Sequence, residues 1–167
     1  MITQDDLKKR VRYCQKTGIF TRIKPVQRCR VGDQVGNDRG NGYLSCQMMG
    51  KNYSMHRLAW LYVYGEMPNG EIDHVNGDAT DNRIANLRLA TSSQNSANKA
   101  SKGGPLGLRG ITKHGSSFEA KIKINRKSHY LGRYSCPVAA HLAYVVAADN
   151  KFGEFASQRK LCTDQSA

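Results

Sequence analysis

Between Asn98 and Gly107 the chain reads NKASKGGPLG, with Leu106 its only large apolar side chain. A stretch this small, basic and rich in Gly cannot cross a hydrophobic core, so it reads as a linker or extended arm. It divides the 167 residues into two parts, each of a size for one small domain. The expected layout is a first domain over residues 1–99, a linker over 100–106, a second domain over 107–155 and a tail over 156–167. Short strands and helices mix in both parts, which makes the expected fold class α+β.

Charge follows the same division. The chain carries 26 Lys and Arg against 13 Asp and Glu, a formal net charge of +13. Residues 1–65 hold 12 basic and 4 acidic side chains, residues 66–98 hold 2 and 5, and residues 99–134 hold 9 basic ones with Glu119 alone opposing them. An overall excess of this size points to a polyanionic partner, most often nucleic acid. An acidic island between two basic segments fits a cation site flanked by surfaces that hold a phosphate backbone. No stretch approaches the length of apolar sequence a membrane span needs, and MITQDDLKKR lacks the apolar core of a signal peptide. The five cysteines are scattered and contain no C-x-x-C, which argues against a disulfide framework and against a thiolate zinc site. The expected setting is intracellular.

In the first part, GIFTRI and GYLSCQMMGKNYSM predict short strands, with turns at Asn41-Gly42 and Gly50-Lys51-Asn52. HRLAWLYVY, residues 56–64, predicts a helix with Leu58, Leu61 and Tyr62 on one face and Gly65 as its stop. The acidic island is EIDHVNGDATDNRIANLR, residues 71–88, which contains the only Asp-His pair in the chain. A strand ending at Asp73-His74, a turn at Asn76-Gly77-Asp78, a second strand near Leu87 and a helix from about residue 92 predict a compact ββα unit. Read alone, the loop is either solvated turn chemistry or the assembly of a metal site.

From HRLAW through IDHVNGDATDNRIANLRLATSSQNSANK, residues 56–99, the sequence resembles the HNH endonucleases of the phage and intron-encoded homing branch. The key positions are His74, Asn86 and Asn95, at spacings of 12 and 21 residues from His74, and the third is Asn where the family name has His. The resemblance implies that His74 is the general base, that Asp73 and Asn95 are metal ligands, and that Asn86 belongs to the catalytic set, chiefly by bonding loop backbone to hold the base in register. Oxygen ligands suit a hard divalent cation, Mg²⁺ before Mn²⁺. His56 and Arg57 are expected to brace the site from the preceding helix, or Arg57 to contact phosphate, and Asn82 and Arg83 are expected near enough to touch phosphate.

In the second part RGITKH, FEAKIKI and KSHYLGRY predict three strands, with turns at Gly115-Ser116 and Asn125-Arg126. Phe118, Ala120, Ile122 and Ile124 fall on one face and Lys121 and Lys123 on the other. Pro137 opens a helix expected to turn Val138, Leu142, Val145 and Val146 to the core. Arg109-Gly110-Ile111, Phe118 to Ile122, Tyr130-Leu131-Gly132 and AAHLAYVVAA together make residues 107–155 resemble the ethylene-response-factor type of DNA-binding domain. That resemblance implies a sheet in the major groove of duplex DNA, with Arg109, Lys121, Lys123, Arg126 and Arg133 in contact. It departs from the family in Val145, where an Asp is usual, and in Phe118, where a Trp is usual.

The resulting expectation is a metal-dependent DNA endonuclease, homing-type and site-specific, encoded by a phage and acting in the bacterial host. A non-enzymatic DNA-binding regulator with an inactive nuclease module and, more weakly, an RNA-binding protein are the alternatives.

Overall fold

A computed structural model of the chain describes residues 2–38, 40, 42–98 and 107–156. The expected linker at 100–106 lies outside the described residues, as does the expected tail beyond Ala156. The chain forms two compact units, Met1–Ala90 and Thr91–Ala167, and the fold is α+β. The division between the two units lies between Ala90 and Thr91. Among the described residues no helix is long and apolar enough to cross a membrane.

The first unit opens with helix α1 (Gln4–Lys8), whose Thr3 and Asp6 form a reciprocal capping box. Strands β1 (Val11–Tyr13), β2 (Phe20–Arg22) and β3 (Gln34–Val35) form one antiparallel sheet, and β4 (Asn37–Asp38), β5 (Leu44–Met48) and β6 (Lys51–Ser54) form a second. The β5–β6 turn lies at Met49-Gly50, ahead of the expected Gly50-Lys51-Asn52, because Lys51 already pairs with Met48. Both turn residues are left-handed, φ +50° and +74°, which is the backbone twist a two-residue hairpin favours.

Helix α2 (Met55–Tyr64) ends at Gly65, which takes the left-handed conformation at φ +84° and returns its N–H to the Leu61 carbonyl. Its Met55, Leu58, Ala59 and Leu61 are buried with Leu7, Val11, Phe20 and Ile72 in one core. Tyr13, Phe20 and Tyr62 pack ring against ring at its edge. A short hairpin of β7 (Glu71–His74) and β8 (Leu87–Ala90) closes the unit, with Asp73 opposite Arg88 and His74 opposite Leu87.

The second unit begins with α3 (Ser92–Asn98). Thr91 caps it reciprocally with Gln94, the Thr91 Oγ1 accepting from Gln94 N–H and the Gln94 side chain from Thr91 N–H. Strands β9 (Ile111–His114), β10 (Ser117–Ile124) and β11 (Lys127–Tyr134) make an antiparallel sheet in the order β11-β10-β9, and α4 (Pro137–Phe152) packs on it. The β10–β11 turn is Asn125-Arg126, both residues left-handed.

One packing expectation fails. Val138, Leu142 and Val146 are each more than half exposed, and α4 instead buries Ala140, Tyr144, Ala148 and Phe152. The reason lies at Gly110, where an added Cβ would stand 2.0 Å from the Tyr144 ring. A helix that approaches a sheet this closely does so on its small residues and one ring laid over glycine. The larger aliphatic stripe is left outside.

Candidate active site

Four polar residues of the 71–88 segment are withdrawn from solvent. Asp73, His74, Asn82 and Asn86 are all buried, at 3, 5, 2 and 7% exposure. Burying so many polar groups is favourable only if their hydrogen bonds are made within the protein, and the loop makes them.

Asn86 is its strut. Its Nδ2 donates to the Asn76 side chain at 2.9 Å and to the Asp81 carbonyl at 2.8 Å, while its Oδ1 accepts from Asn76 N–H at 2.9 Å. Val75 N–H reaches the Asn86 carbonyl and Gly77 N–H the His74 carbonyl, so the loop folds back on the strand end that carries the imidazole. Asn76 donates to the Asp81 carboxylate and accepts from Asp78 N–H, while Asp78 accepts from Thr80 and Asp81 from Arg83 N–H. Asn86 thus holds position through its amide, which places it in the scaffold of His74.

His74 ends β7 with its Nε2 3.5 Å from Asn82 Oδ1. Asn82 is in turn fixed by its Nδ2 donating to the Thr80 carbonyl and by Tyr13 Oη donating to its own carbonyl at 2.7 Å. Burial of the Tyr13 phenol pushes its pKa up to about 12, so it stays a donor at any working pH. The His74 ring also meets His56 edge-on at 5.3 Å and lies 6.0 Å from Tyr43. Burial lowers the His74 pKa below its usual value, partly countered by Asn82 and by the carboxylates of Asp73, Asp78 and Asp81. His56, with its Nδ1 sealed from solvent and without a partner, is lowered to about 4 by burial and by His74 beside it. Both rings are neutral near pH 7, the state a proton acceptor needs.

Asp73 is held by Arg88 across the hairpin. Arg88 Nε and Nη2 both lie 2.8 Å from its Oδ2. The antiparallel register that sets these two residues opposite each other was available from the sequence, yet the pair was not anticipated. Asn82 as the neighbour of His74 was likewise missed; its only signal is that the amide follows the turn at a spacing that returns the chain to the strand end.

The arginines expected at DNA divide into two groups. Arg57 turns inward, its Nη1 and Nη2 donating to the Gly70 and Pro68 carbonyls at 2.9 Å each, which braces the chain just before β7. Arg83 binds Asp81 through two bonds, 2.8 and 2.6 Å, although half of its side chain stays exposed. Arg109 donates from Nη1 and Nη2 to the carbonyls of Ala97 and Ser96 at 2.8 Å each, and its guanidinium stands 5.8 Å from the Tyr144 ring. It closes the C-terminal end of α3. Asn95 is half-buried on that same helix.

Lys121, Lys123, Arg126 and Arg133 are solvent-exposed in the sheet and its turn. Glu119 sits among them, 2.6 Å from Lys121, 3.2 Å from His114 and 4.0 Å from Arg133. The Lys121 ammonium, then the other cations, holds its carboxyl below the usual range.

Residues 53–97 match the family model for HNH endonucleases. Over 123 residues the chain is 31% identical to an uncharacterized HNH endonuclease of Acanthamoeba polyphaga mimivirus. The match takes in 72% of this chain and 64% of the viral protein, so the chain spans a little under two thirds of that relative's length. No solved structure matches. Both likenesses support a nuclease.

Proposed function

We propose that the chain is a metal-dependent endonuclease that hydrolyses phosphodiester bonds in duplex DNA, and that it does so as a site-specific enzyme of the homing type. The observation that carries this reading is His74. A neutral imidazole is buried at a strand end, beside a buried carboxylate, inside the segment that matches the HNH family.

His74 is the general base. An acceptor opposite Nε2 selects the tautomer with its hydrogen there and leaves the lone pair on Nδ1. Nδ1 takes a proton from water, the water oxygen bonds to phosphorus, and the P–O3′ bond breaks, its electron pair leaving with the 3′ oxygen, which is then protonated. Asn82 and Asn86 hold the ring and its loop through this step. Asp73 and Asn95 are the oxygen donors we assign to the cation, Mg²⁺ before Mn²⁺. One carboxylate and one amide fit an ion that keeps several waters and takes phosphate oxygens as its remaining ligands. Among the described residues no three His, Cys, Asp or Glu side chains converge as a metal cage, so such a donor set leans on water and substrate. When bound, the cation stabilises charge on the phosphate and the leaving oxygen.

The second unit holds the DNA. Its support is the sheet face with Lys121 and Lys123 on β10, Arg126 in the turn and Arg133 on β11, set on a strand–strand–strand–helix order shared with the ethylene-response-factor type. The deciding experiment incubates supercoiled plasmid with the wild-type protein and with His74→Ala, each with Mg²⁺ and with EDTA. Nicked or linear product from the wild type with Mg²⁺ alone is the expected result. Equal cleavage by His74→Ala would remove the base from the mechanism.

A further inference from the structure

The first unit contains a second strongly basic feature, away from the 71–88 loop. A cleft of about 540 Å³ runs between the end of β2, the residue just before β1 and the β5–β6 turn. Arg10, Arg22 and Lys24 line it, together with Val26, Met48 and Met49, and no carboxylate does. Among the described residues none of these three cations has an ion-pair partner. Arg57, Arg83 and Arg88 of the same unit, by contrast, are used internally.

The cleft is also built, not merely charged. Ile23 N–H donates to the Arg10 carbonyl at 3.0 Å, and Arg22 is fixed on both sides of its backbone by Asp33 and Gly32, so Arg10 and Arg22 are presented from a rigid junction. Arg22 Nε is sealed from solvent with no hydrogen-bond acceptor. A donor stripped of water and given no partner is an unfavourable arrangement, and an incoming anion relieves it by offering acceptors to the same guanidinium. The walls are of another kind. Met49 is 56% exposed and Val26 50% exposed. Met49 is held outward by a left-handed backbone at the hairpin tip. Cations over an apolar wall match a phosphodiester backbone with sugars beside it, which presents singly charged phosphates joined by less polar groups.

We infer that the Arg10–Arg22–Lys24 cleft is a phosphate-backbone site of the nuclease unit, engaging the same duplex DNA at a point separate from the basic sheet of the second unit. It rests on the reading of the chain as a DNA endonuclease. Two or three phosphate contacts here lower the log–log salt slope of binding by about two units when they are removed.

The test uses full-length protein carrying His74→Ala, which binds without cutting, and a linear mixed-sequence DNA duplex as probe. Adding Arg22→Gln and Lys24→Gln is expected to weaken binding and to flatten the salt dependence by about two units. In the parent, DNA is expected to protect Lys24 from acetylation, read by mass spectrometry, with Lys121 and Lys123 protected alongside. Lys24→Gln alone, at an exposed position, is expected to reduce the slope by about one unit and stands in if Arg22→Gln does not fold. An unchanged slope, with Lys24 modified equally in the presence and absence of DNA while Lys121 and Lys123 are protected, would overturn the cleft and leave the endonuclease reading standing. A parent that binds no duplex at all would overturn both.

Discussion

Arg88 and Lys123 carry the same charge to opposite purposes, and the regions around them differ in the same way. In the β7–β8 hairpin the buried Asp73 is answered by Arg88, and the buried Asn86 by three hydrogen bonds within its own loop. In the β9–β11 sheet the cations stand in water, and the single buried anion, Glu119, gathers His114, Lys121 and Arg133 about itself. The difference teaches what each region can do. A group that must act on one proton has to be held in one place, whereas groups that must follow a flexible polyanion are better left exposed and screened.

The comparison breaks most visibly at His74. His74→Ala is expected to lower cleavage by about two to four orders of magnitude while DNA affinity stays within a factor of about two, as measured by gel cleavage and by titration of labelled duplex. A comparable loss of turnover from Lys123→Ala would mean that the two regions do not divide the work. Next comes Arg109→Ala, which removes two hydrogen bonds from the end of α3 and a cation from the Tyr144 ring. It is expected to destabilise the second unit by about 1–3 kcal/mol in a denaturant melt, while leaving the salt slope of DNA binding unaltered. A fall in slope by one unit would return Arg109 to the DNA surface.

Two smaller effects sharpen the contrast. Lys123→Ala is expected to lower the salt slope by about one unit, and Lys121→Ala by less, because Lys121 is already engaged by Glu119 at 2.6 Å. Glu119→Gln is expected to raise DNA affinity a few-fold by releasing Lys121 and Arg133, and an affinity that falls instead would show that Glu119 orders them for binding.

Acid separates the units. His56 has a folded pKa of about 4 against the usual 6.5, so between those values the unfolded state binds a proton that the folded state refuses. Its contribution to stability is full above pH 6.5 and is lost as pH falls toward 4. Glu119, lowered from 4.5, contributes stability above that value and loses it only further down. The chain has one tryptophan, Trp60, in α2, so its fluorescence reports the first unit alone. In an acid titration the Trp60 signal is expected to change at higher pH than the far-ultraviolet signal of the remaining structure. Coincident transitions would contradict it.

Much of this was legible in the sequence where one residue type forces one geometry. Gly65 ends α2, Asn125-Arg126 reverse the chain between β10 and β11, and Pro137 opens α4. Polarity alternation gave the two faces of β10, with Ala120 and Ile122 buried and Lys121 and Lys123 exposed. What escaped depends on partners distant in sequence. The inward face of α4 was misjudged because side-chain size outweighed the close approach at Gly110. Arg57 and Arg109 bind backbone carbonyls, partners that a sequence does not display beside the cation. The roles of Asp73 and Asn95 at a cation are assigned from resemblance and donor chemistry, since the metal itself is no part of the chain.

Gly18 has a further consequence. At φ +74° it lies so close to the loop that an added Cβ would stand 2.6 Å from the backbone of Asn82 and Arg83, and Tyr13 bonds the same loop from the neighbouring strand. Both residues precede the segment that matches the HNH family, residues 53–97. The portable piece is therefore larger than the recognisable one. Anyone transplanting this segment into another protein has to carry residues 11–22 with it, or supply a substitute buttress under Asn82. The outline that similarity draws around a module marks what is shared among relatives, and the engineering boundary lies where the mechanical support ends.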